Sequence, residues 1–188
     1  MDYLKDNPLK KADTPKPEKK ILPSLTRNQV DYLISRVDNL RDKAIISLFP
    51  DSGMRLSELA GVKASDIDWD TNTILIWGNG AKQRRAPFNE RSTRYLREIV
   101  RKDGHGENVW HLRRRSIQDM LLRLSSETGL PCNPHTFKRT FASNLHRAGL
   151  DVEHIMRLGG WESLDMVLRY TRSVKFEESL KLYQDLNV

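Results

Sequence analysis

The sequence predicts a mostly α-helical domain with one small antiparallel β-sheet, an α+β fold. Two observations predict it. After about residue 25, apolar residues recur at the three- and four-residue spacing of amphipathic helices. Residues 66–88 instead carry β-branched and aromatic residues around turns at DTN and GNG. No internal repeat is visible, and 188 residues is the size of a single domain with a real core.

The first 24 residues differ from the rest of the chain. The stretch MDYLKDNPLKKADTPKPEKKILPS is rich in lysine and proline and has few large apolar side chains. Such a composition buries too little surface to fold by itself, so residues 1–24 are predicted to be an extended linker. A linker at a chain start suggests that another domain once preceded Met1. The folded domain is therefore expected to span residues 25–188.

The helices are predicted from caps and apolar stripes. Thr26 opens the first helix, and Gln29 three residues later completes a capping box. The apolar stripe of this helix is Val30, Leu33, Ile34 and Val37. A second helix covers RDKAIISLF and a short third one covers MRLSELAGV. Later helices are expected at about residues 90–102, 114–128, 134–148, 151–158, 163–172 and 174–186, with Asn133 and Pro134 opening the one at 134–148.

The charge balance indicates a polyanionic partner. The net charge is +7 and the sequence pI is about 9.6, which favours nucleic acid over a membrane, although a basic surface also occurs without any such partner. The lone Cys132 excludes an intrachain disulfide framework and a cysteine-rich metal site, and it fits a reducing cytosol. No apolar run approaches the roughly 18 residues of a membrane span, and no signal peptide opens the chain. The sequence thus predicts a cytoplasmic protein with no membrane partner.

Two basic motifs in the first half of the chain carry candidate chemistry. In GMRLSEL, Glu58 follows Arg55 by three residues, so its carboxylate can hold the guanidinium in one orientation. An ordinary surface ion pair has the same spacing. In WGNGAKQRRAPF, a glycine-flanked hairpin tip carries Lys82, Arg84 and Arg85, which can reach a DNA groove or a phosphate. Charges at such a tip also protect sheet edges from aggregation.

Two further motifs lie in the second half. HTFKRTF places His135, Lys138 and Arg139 near one face of a helix. An imidazole can move protons near pH 7 and the two cations can hold phosphate oxygens, but basic helix faces are also common on ordinary surfaces. In LGGWESLDMVLRYTR, Trp161 follows two glycines and Tyr170 comes nine residues later. Each of these aromatic residues, taken alone, is more typical of core packing than of a site.

Together and in this order, the motifs resemble the catalytic domain of the tyrosine recombinases, also called phage integrases. The matching stretches are SGMRLSELAGV, GNGAKQRRAPF, HTFKRTFASNLHRAG and LGGWESLDMVLRYT. The resemblance runs from about Pro23 to the end and is strongest from His135 through Tyr170. It implies that the chain cuts and rejoins double-stranded DNA through a 3′-phosphotyrosyl link, freeing a 5′-hydroxyl. It also implies no metal, no cofactor and no small-molecule substrate.

The resemblance implies a role for each matched residue. Tyr170 is expected to be the nucleophile, and Arg55 is expected to clamp the scissile phosphate with Glu58 as its brace. His135 is expected to handle protons and contact the phosphate, and Trp161 to donate a hydrogen bond to it. Fixed cations and N–H donors suit this reaction because its transition state carries extra negative charge.

Two positions depart from the family pattern. The pattern His-x-x-Arg has Lys138 in place of its arginine, which supplies charge without a bidentate grip. Arg139 is next in sequence, but one residue turns a helix by about 100°, so Arg139 cannot simply replace the missing arginine. The family's hairpin lysine position holds Asn79, which cannot act as an acid. Lys82 is the best substitute, and the alternative is that no lysine acts there.

These departures leave three hypotheses. The first is a site-specific recombinase or integrase that assembles as a tetramer on DNA. The second is a catalytically impaired relative that only binds DNA, and the third is a type IB topoisomerase-like enzyme that relaxes DNA. Relatives usually carry an N-terminal core-binding domain, which is expected to be absent here. The tail helix at about 174–188 either docks on a neighbouring protomer or packs on its own domain through Phe176, Leu180, Leu182 and Tyr183.

Overall fold

The structure is a computed structural model that describes residues 23–77, 83–103, 108–171 and 176–185. Within these residues it has α-helices, a short 3-10 turn and a three-stranded antiparallel sheet. The predicted fold class, mostly α with one small sheet, is confirmed. Of the predicted linker, only residues 23 and 24 lie among the described residues.

The helices and strands follow one another in nearly the predicted order and extent. The first three helices are α1 (Arg27–Ser35), α2 (Leu40–Ser52) and α3 (Leu56–Ala60). The strands are β1 (Ile67–Asp68), β2 (Thr73–Trp77) and β3 (Gln83–Pro87), paired in the order β1-β2-β3. The later helices are α4 (Glu90–Asp103), α5 (Arg114–Thr128), α6 (Pro134–Arg147), α7 (Val152–Gly159), α8 (Leu164–Thr171) and α9 (Phe176–Asp185). None of the helices in the described ranges has the length and apolarity to cross a bilayer.

Local sequence signals set the starts of α1 and α6. The Thr26 hydroxyl accepts a hydrogen bond from the Gln29 backbone N–H, and the Gln29 side chain accepts one from the Thr26 N–H, so the predicted capping box is present. The Asn133 side chain accepts from the Thr136 N–H, with Pro134 in the first turn. These caps satisfy backbone donors that the first helical turn leaves unpaired.

A left-handed glycine ends α2 and redirects the chain toward the cleft described below. Gly53 has φ of 61°, and a Cβ there would lie 2.6 Å from the ring of Phe141. Only glycine therefore fits both the backbone conformation and the space. Met54 follows as a fully buried residue, which leaves Arg55 at the start of α3.

The buried apolar residues form two clusters. The larger one joins α1 to α5 with the inner face of the sheet and includes the stacked rings of Phe49 and Phe137, whose centroids are 5.3 Å apart. The smaller one lies between α6, α7 and α8 and consists of Phe141, Ala142, Ile155, Trp161 and Val167. Helix α6 belongs to both clusters, so it connects the two halves of the domain.

Helix α9 buries none of its described residues. Phe176 is 75% exposed, Tyr183 is 60% exposed, and Leu180 is also exposed. Leu182 is half-buried and would lie 3.8 Å from a Cβ at Gly149. The predicted amphipathic tail is therefore helical, but most of its apolar face is not packed on its own domain.

Candidate active site

Most of the candidate residues that the structure describes converge on one cleft. The cleft consists of two grooves, each of ≈ 470 Å³, which share Arg55, Ser57 and Trp161. The groove on the α6 and α8 side, called here the tyrosine groove, also contains His135, Lys138 and Tyr170. The groove on the sheet side, called here the sheet groove, also contains Glu58, Trp77 and Arg84. Residues separated by more than a hundred positions in sequence thus face one volume.

Arg55 is held at the mouth of both grooves by Glu58. The Arg55 backbone N–H donates to Glu58 Oε2 at 2.7 Å, and Arg55 Nη1 donates to Glu58 Oε1 at 3.1 Å. The Arg55 side chain is half-exposed, whereas that of Glu58 is nearly buried. The predicted pairing of Arg55 with Glu58 is therefore present. Its buried carboxylate orients a guanidinium that still faces solvent.

Glu58 holds a second guanidinium, that of Arg84 in β3. Arg84 Nη2 donates to Glu58 Oε2 at 2.9 Å. Burial alone raises the pKa of Glu58, but the hydrogen bond from the Arg55 amide and the charges of Arg84 and Arg55 outweigh it, so the pKa lies below its ordinary value. The carboxylate is therefore ionised at neutral pH and is shared between two cations.

The positions of Arg84 and Arg85 differ from those that the sequence predicted, which were at a hairpin tip within reach of DNA. Arg84 is paired with Ile76 across the sheet and so lies on the inner face, where Ile76 is buried. Arg85 lies on the outer face, and its Nη1 donates to Asp68 and Thr73 at 2.9 Å each. Both arginines belong to β3 rather than to the tip, because the strand begins at Gln83.

Arg84 also contacts the turn that precedes Trp161. Its Nη1 donates to the Leu158 carbonyl at 2.9 Å. Its side chain passes over Gly160, where a Cβ would lie 2.4 Å from Nε and where φ is +64°. Arg84 therefore links α3 to the α7–α8 turn. Sequence reasoning missed this role, although the inward register of Arg84 beside Ile76 was the available signal.

Lys138 lies under the same turn from the other side. It is 7% exposed, and Nζ donates to the Gly159 carbonyl at 3.1 Å. Nζ also lies 4.6 Å from the centroid of the Trp161 ring, within the range of a cation–π contact. Burial, together with repulsion from Arg55 and Arg84, lowers the pKa of Lys138 to about 8. This lysine is therefore a titratable cation inside the cleft.

Trp161 packs tightly into the double-glycine turn. A Cβ at Gly159 would lie 1.7 Å from the Trp161 ring, so the indole occupies space that only glycine leaves open. The ring centroids of Trp161 and Tyr170 are 5.7 Å apart. Trp161 Nε1 is buried and has no hydrogen-bond acceptor among the described residues. The indole is thus both a packing residue and a donor with unused capacity.

Tyr170 and His135 complete the tyrosine groove. Tyr170 lies in the last turn of α8, and its carbonyl accepts a hydrogen bond from the Ser143 hydroxyl at 2.9 Å. His135 is exposed in the first turn of α6. Both side chains line the groove that Arg55 and Lys138 also line. The structure therefore brings together a phenol, an imidazole and three cations, since Arg114 of α5 also lines this groove.

Arg139 does not line either groove. Its Nε donates to the Pro23 carbonyl at 3.0 Å and its Nη2 to the Thr136 hydroxyl at 2.8 Å. Burial lowers its pKa, and electrostatic attraction to Tyr170 opposes that effect. Arg139 therefore does not take the place of the missing arginine, as its position on the helix predicted.

Two predicted site residues, Asn79 and Lys82, lie outside the described residues, which resume at Gln83. Across the described ranges, no group of three or more His, Cys, Asp or Glu side chains is arranged to hold a metal ion. The described residues therefore give the cleft the phenol of Tyr170, the imidazole of His135 and the carboxylate of Glu58. Its cations are Arg55, Arg84, Arg114 and Lys138.

The fold and the cleft together define a mostly helical domain with a tyrosine beside clustered cations. The chain belongs to the phage integrase family, whose model matches residues 23–177. It is 33% identical to the tyrosine recombinase XerC of Syntrophus aciditrophicus (strain SB), an alignment that covers 88% of this chain and 61% of that protein. It is 30% identical to the tyrosine recombinase XerA of Pyrococcus horikoshii, over 89% of this chain and 62% of that protein. The chain thus spans about three fifths of the length of these relatives.

Solved structures show the same fold. A crystal structure of XerA recombinase matches with a TM-score of 0.77 at 21% identity, covering 90% of this chain and 66% of that one. The XerH site-specific recombinase bound to a palindromic difH substrate, in a post-cleavage complex, matches with a TM-score of 0.74 at 18% identity, covering 100% of this chain and 60% of that one. The fold prediction of a tyrosine-recombinase catalytic domain is therefore confirmed.

Proposed function

We propose that residues 25–188 form the catalytic domain of a site-specific DNA recombinase or integrase. The reaction is cleavage and rejoining of DNA strands through a 3′-phosphotyrosyl intermediate on Tyr170. The observation that carries this proposal is the convergence of Tyr170, Arg55, His135 and Lys138 on one groove. A phenol becomes a useful nucleophile when cations surround it, and the same cations stabilise the charge that develops on phosphorus.

Each side chain has a role in this proposal. Arg55 clamps two oxygens of the scissile phosphate, and Glu58 holds its guanidinium in place. His135 accepts the proton of the phenol. Trp161 offers the phosphate its Nε1–H, which has no acceptor in the described parts of the chain. Lys138 supplies the charge that an arginine supplies in the family pattern, and Arg139 adds positive charge from outside the grooves. Lys82 is the proposed hairpin lysine in place of Asn79.

The proposed substrate is double-stranded DNA. The net charge of +7 supports a polyanionic partner. Among the matched structures, the Tn1549 transposon integrase is in complex with circular intermediate DNA and XerH is bound to difH substrate. DNA binding by this chain should weaken steeply with salt, because binding a phosphate backbone releases counterions. We place this activity in the cytoplasm, in keeping with the lone cysteine of the sequence.

We also propose that the protein self-associates on DNA, as a tetramer. The support is helix α9, whose Phe176, Leu180 and Tyr183 are exposed in this chain. An apolar helix face left in solvent is typical of an interaction surface. In this proposal α9 docks on a neighbouring protomer, while Arg147, whose Nε donates to Glu178 at 3.0 Å, holds the first turn of α9 on its own domain.

A nicked suicide substrate tests the catalytic proposal. The full chain is incubated with nicked duplexes taken from the DNA that flanks its gene, and the products are separated on a denaturing gel. We expect a covalent protein–DNA band that is lost in Tyr170→Phe and retained in Tyr32→Phe. Tyr32 is the matched control because it is an exposed tyrosine on α1, outside both grooves.

The competing function is a catalytically impaired DNA-binding relative, which Lys138 and Asn79 favour. It predicts salt-sensitive DNA binding without a covalent band for the unaltered chain. A band that appears in Lys138→Arg or Asn79→Lys would then show that the chemistry has decayed at those positions. A band that survives Tyr170→Phe would show that another residue is the nucleophile. Relaxation of a supercoiled plasmid that depends on Tyr170 would indicate the topoisomerase-like activity.

A further inference from the structure

Attack of a tyrosine on a phosphodiester requires two proton transfers. The phenol must lose its proton, and the 5′-oxygen must gain one as it leaves, because an alkoxide is a poor leaving group. Arg55 cannot release a proton at physiological pH. Glu58 is held ionised by two guanidiniums. Among the described residues that line the tyrosine groove, His135 and Lys138 remain as groups able to exchange protons.

Lys138 has the geometry of a proton donor rather than of a structural cation. Among the described residues its ammonium donates to the Gly159 carbonyl, although it has three N–H bonds to donate. Its side chain lines the groove that contains Tyr170. The indole of Trp161 covers one side of Nζ at 4.6 Å, so the amine is shielded from bulk water while facing the cleft.

The surroundings of Lys138 favour release of its proton. Burial disfavours its charged form, and the nearby charges of Arg55 and Arg84 repel the ammonium. The carboxylate of Glu58 attracts the ammonium, but this attraction is weaker than the other effects combined, so the pKa of Lys138 is lowered. The other ionisable side chains that line the groove are His135 on α6, Tyr170 on α8 and Arg114 on α5. A pKa lowered to about 8 lies close to physiological pH, where a general acid works best.

We propose that Lys138 is the general acid of strand cleavage and, in the reverse direction, the general base of strand rejoining. The inference rests on the proposed function and deepens it. As the Tyr170 oxygen forms its bond to phosphorus, the bond from phosphorus to the 5′-oxygen breaks. The phenolic proton passes to His135, and a proton of the Lys138 ammonium passes to the 5′-oxygen. In rejoining, the neutral amine takes the proton of the attacking 5′-hydroxyl as its oxygen bonds to phosphorus. The 3′-phosphotyrosyl bond breaks, and His135 returns its proton to the Tyr170 oxygen.

In this proposal a lysine at position 138 has a role that an arginine could not fill. An arginine holds phosphate oxygens in two hydrogen bonds but never gives up its proton. A lysine loses the bidentate grip but can exchange protons when burial lowers its pKa. Lys138 is therefore a second proton-transfer group, in a chain whose hairpin carries Asn79 at the family's lysine position.

A substrate with sulfur in place of the bridging 5′-oxygen tests the proposal. A thiolate leaves without protonation, so such a 5′-bridging phosphorothiolate bypasses a missing acid. Two variants are compared with the unaltered full chain: Lys138→Arg keeps the charge and Lys138→Met removes it. On the oxygen substrate we expect both variants to cleave at least about a hundredfold more slowly, the usual contribution of a general acid. On the sulfur substrate, Lys138→Arg should return to within a few-fold of the unaltered chain.

The pH profile is an independent readout. Cleavage of the oxygen substrate by the unaltered chain should fall as the pH rises through about 8, since the protonated form of Lys138 is lost there. Cleavage of the sulfur substrate should not show that fall. A structural role for Lys138 would not distinguish the two substrates, and an unfolded variant would not be rescued by sulfur.

Three outcomes would overturn the proposal. Cleavage of the oxygen substrate by Lys138→Arg at the unaltered rate would make Lys138 a phosphate clamp only. Equal defects on both substrates would show that its contribution is not proton donation. A sulfur-rescued defect in Lys82→Met, without one in Lys138→Arg, would assign the acid to Lys82. Failure of the proposed function is distinguishable, because the unaltered chain would then form no covalent band on either substrate.

Discussion

The two apolar clusters of this domain differ in size and in what they hold. The larger contains 28 buried residues among those described and supports Arg55 through the buried Met54 and Leu59. The smaller contains five buried residues and supports Trp161 and Tyr170. Local opening costs less where fewer apolar contacts are buried. The comparison therefore suggests a firmly anchored phosphate clamp and a lightly anchored nucleophile.

Besides α6, which belongs to both clusters, polar contacts join the two regions. Arg84 reaches from β3 to Glu58 on one side and to the Leu158 carbonyl on the other. Lys138 reaches from α6 to the Gly159 carbonyl. Because these bonds converge on one turn, the position of Trp161 relative to Arg55 depends on a few buried charges.

The largest expected effect comes from emptying the larger cluster. Phe49→Ala should lower the free energy of unfolding by about 3–5 kcal/mol, because a fully buried, stacked ring is removed and the dense core cannot close over the cavity. Ile155→Ala in the smaller cluster should cost about 2 kcal/mol, since α7 and α8 can relax around it. Urea denaturation measures both. An equal loss for the two variants would contradict the difference in anchoring.

Glu58→Gln should have the next largest effect. Removing the charge leaves Arg84 buried without its carboxylate, at a cost of about 3 kcal/mol, and it also frees Arg55, so strand cleavage should fall. The control is Asp119→Asn, which breaks an exposed pair with Arg115 and should cost less than about 1 kcal/mol. Denaturation and the suicide-substrate gel report the two effects separately. A stability loss no greater than that of Asp119→Asn would mean that the Glu58 pairs contribute little.

A smaller effect is expected at the turn that joins the regions. Gly129→Ala and Gly160→Ala both introduce a Cβ at positive φ, which costs about 1 kcal/mol. At Gly129 nothing lies within 4 Å of that Cβ, whereas at Gly160 it meets the Arg84 side chain at 2.4 Å. Gly160→Ala should therefore be less stable than Gly129→Ala and should also slow cleavage. Equal melting temperatures and equal cleavage rates would show that Arg84 moves aside freely.

The smallest effect is a pH dependence of stability. Because the pKa of Glu58 is lower in the folded chain than its ordinary 4.5, its ion pairs stabilise the fold above that value and are lost as the pH falls through the folded pKa. The stability gap between the unaltered chain and Glu58→Gln should thus narrow below about pH 4.5. Asp51 acts in the opposite sense. Burial raises the pKa of its carboxyl above the ordinary 3.8, so its ionisation at higher pH opposes folding. Denaturation from pH 7 to pH 3 measures the gap, and a constant gap would contradict the assignment.

Much of the fold could be predicted from local signals. The Thr26 capping box, the Asn133–Pro134 start of α6 and the change from helical to strand composition near residue 66 each depend on neighbours in sequence. These elements appear in the structure within a few residues of their predicted bounds. The Arg55–Glu58 pair could also be predicted, because a spacing of three residues along a helix brings the two side chains together.

The candidate site was predictable as a set of residues but not as an arrangement. Its four motifs named the side chains, but they did not show that Arg84 shares the Glu58 carboxylate or that Arg139 donates to the Pro23 carbonyl. Those outcomes depend on strand register and on the packing of α6 against distant segments. The burial that lowers the pKa of Lys138 has the same origin, since it comes from residues far apart in the chain.

By itself, then, the sequence determined the helices, the small sheet, the family and the types of side chain available for chemistry. Periodicity, caps and turn residues act over a few positions, so they can be read without the fold. The tertiary structure alone decided which cations face the cleft, which carboxylate joins them and how deeply Lys138 is buried. These are electrostatic properties set by distance and desolvation, and only the folded chain defines either quantity.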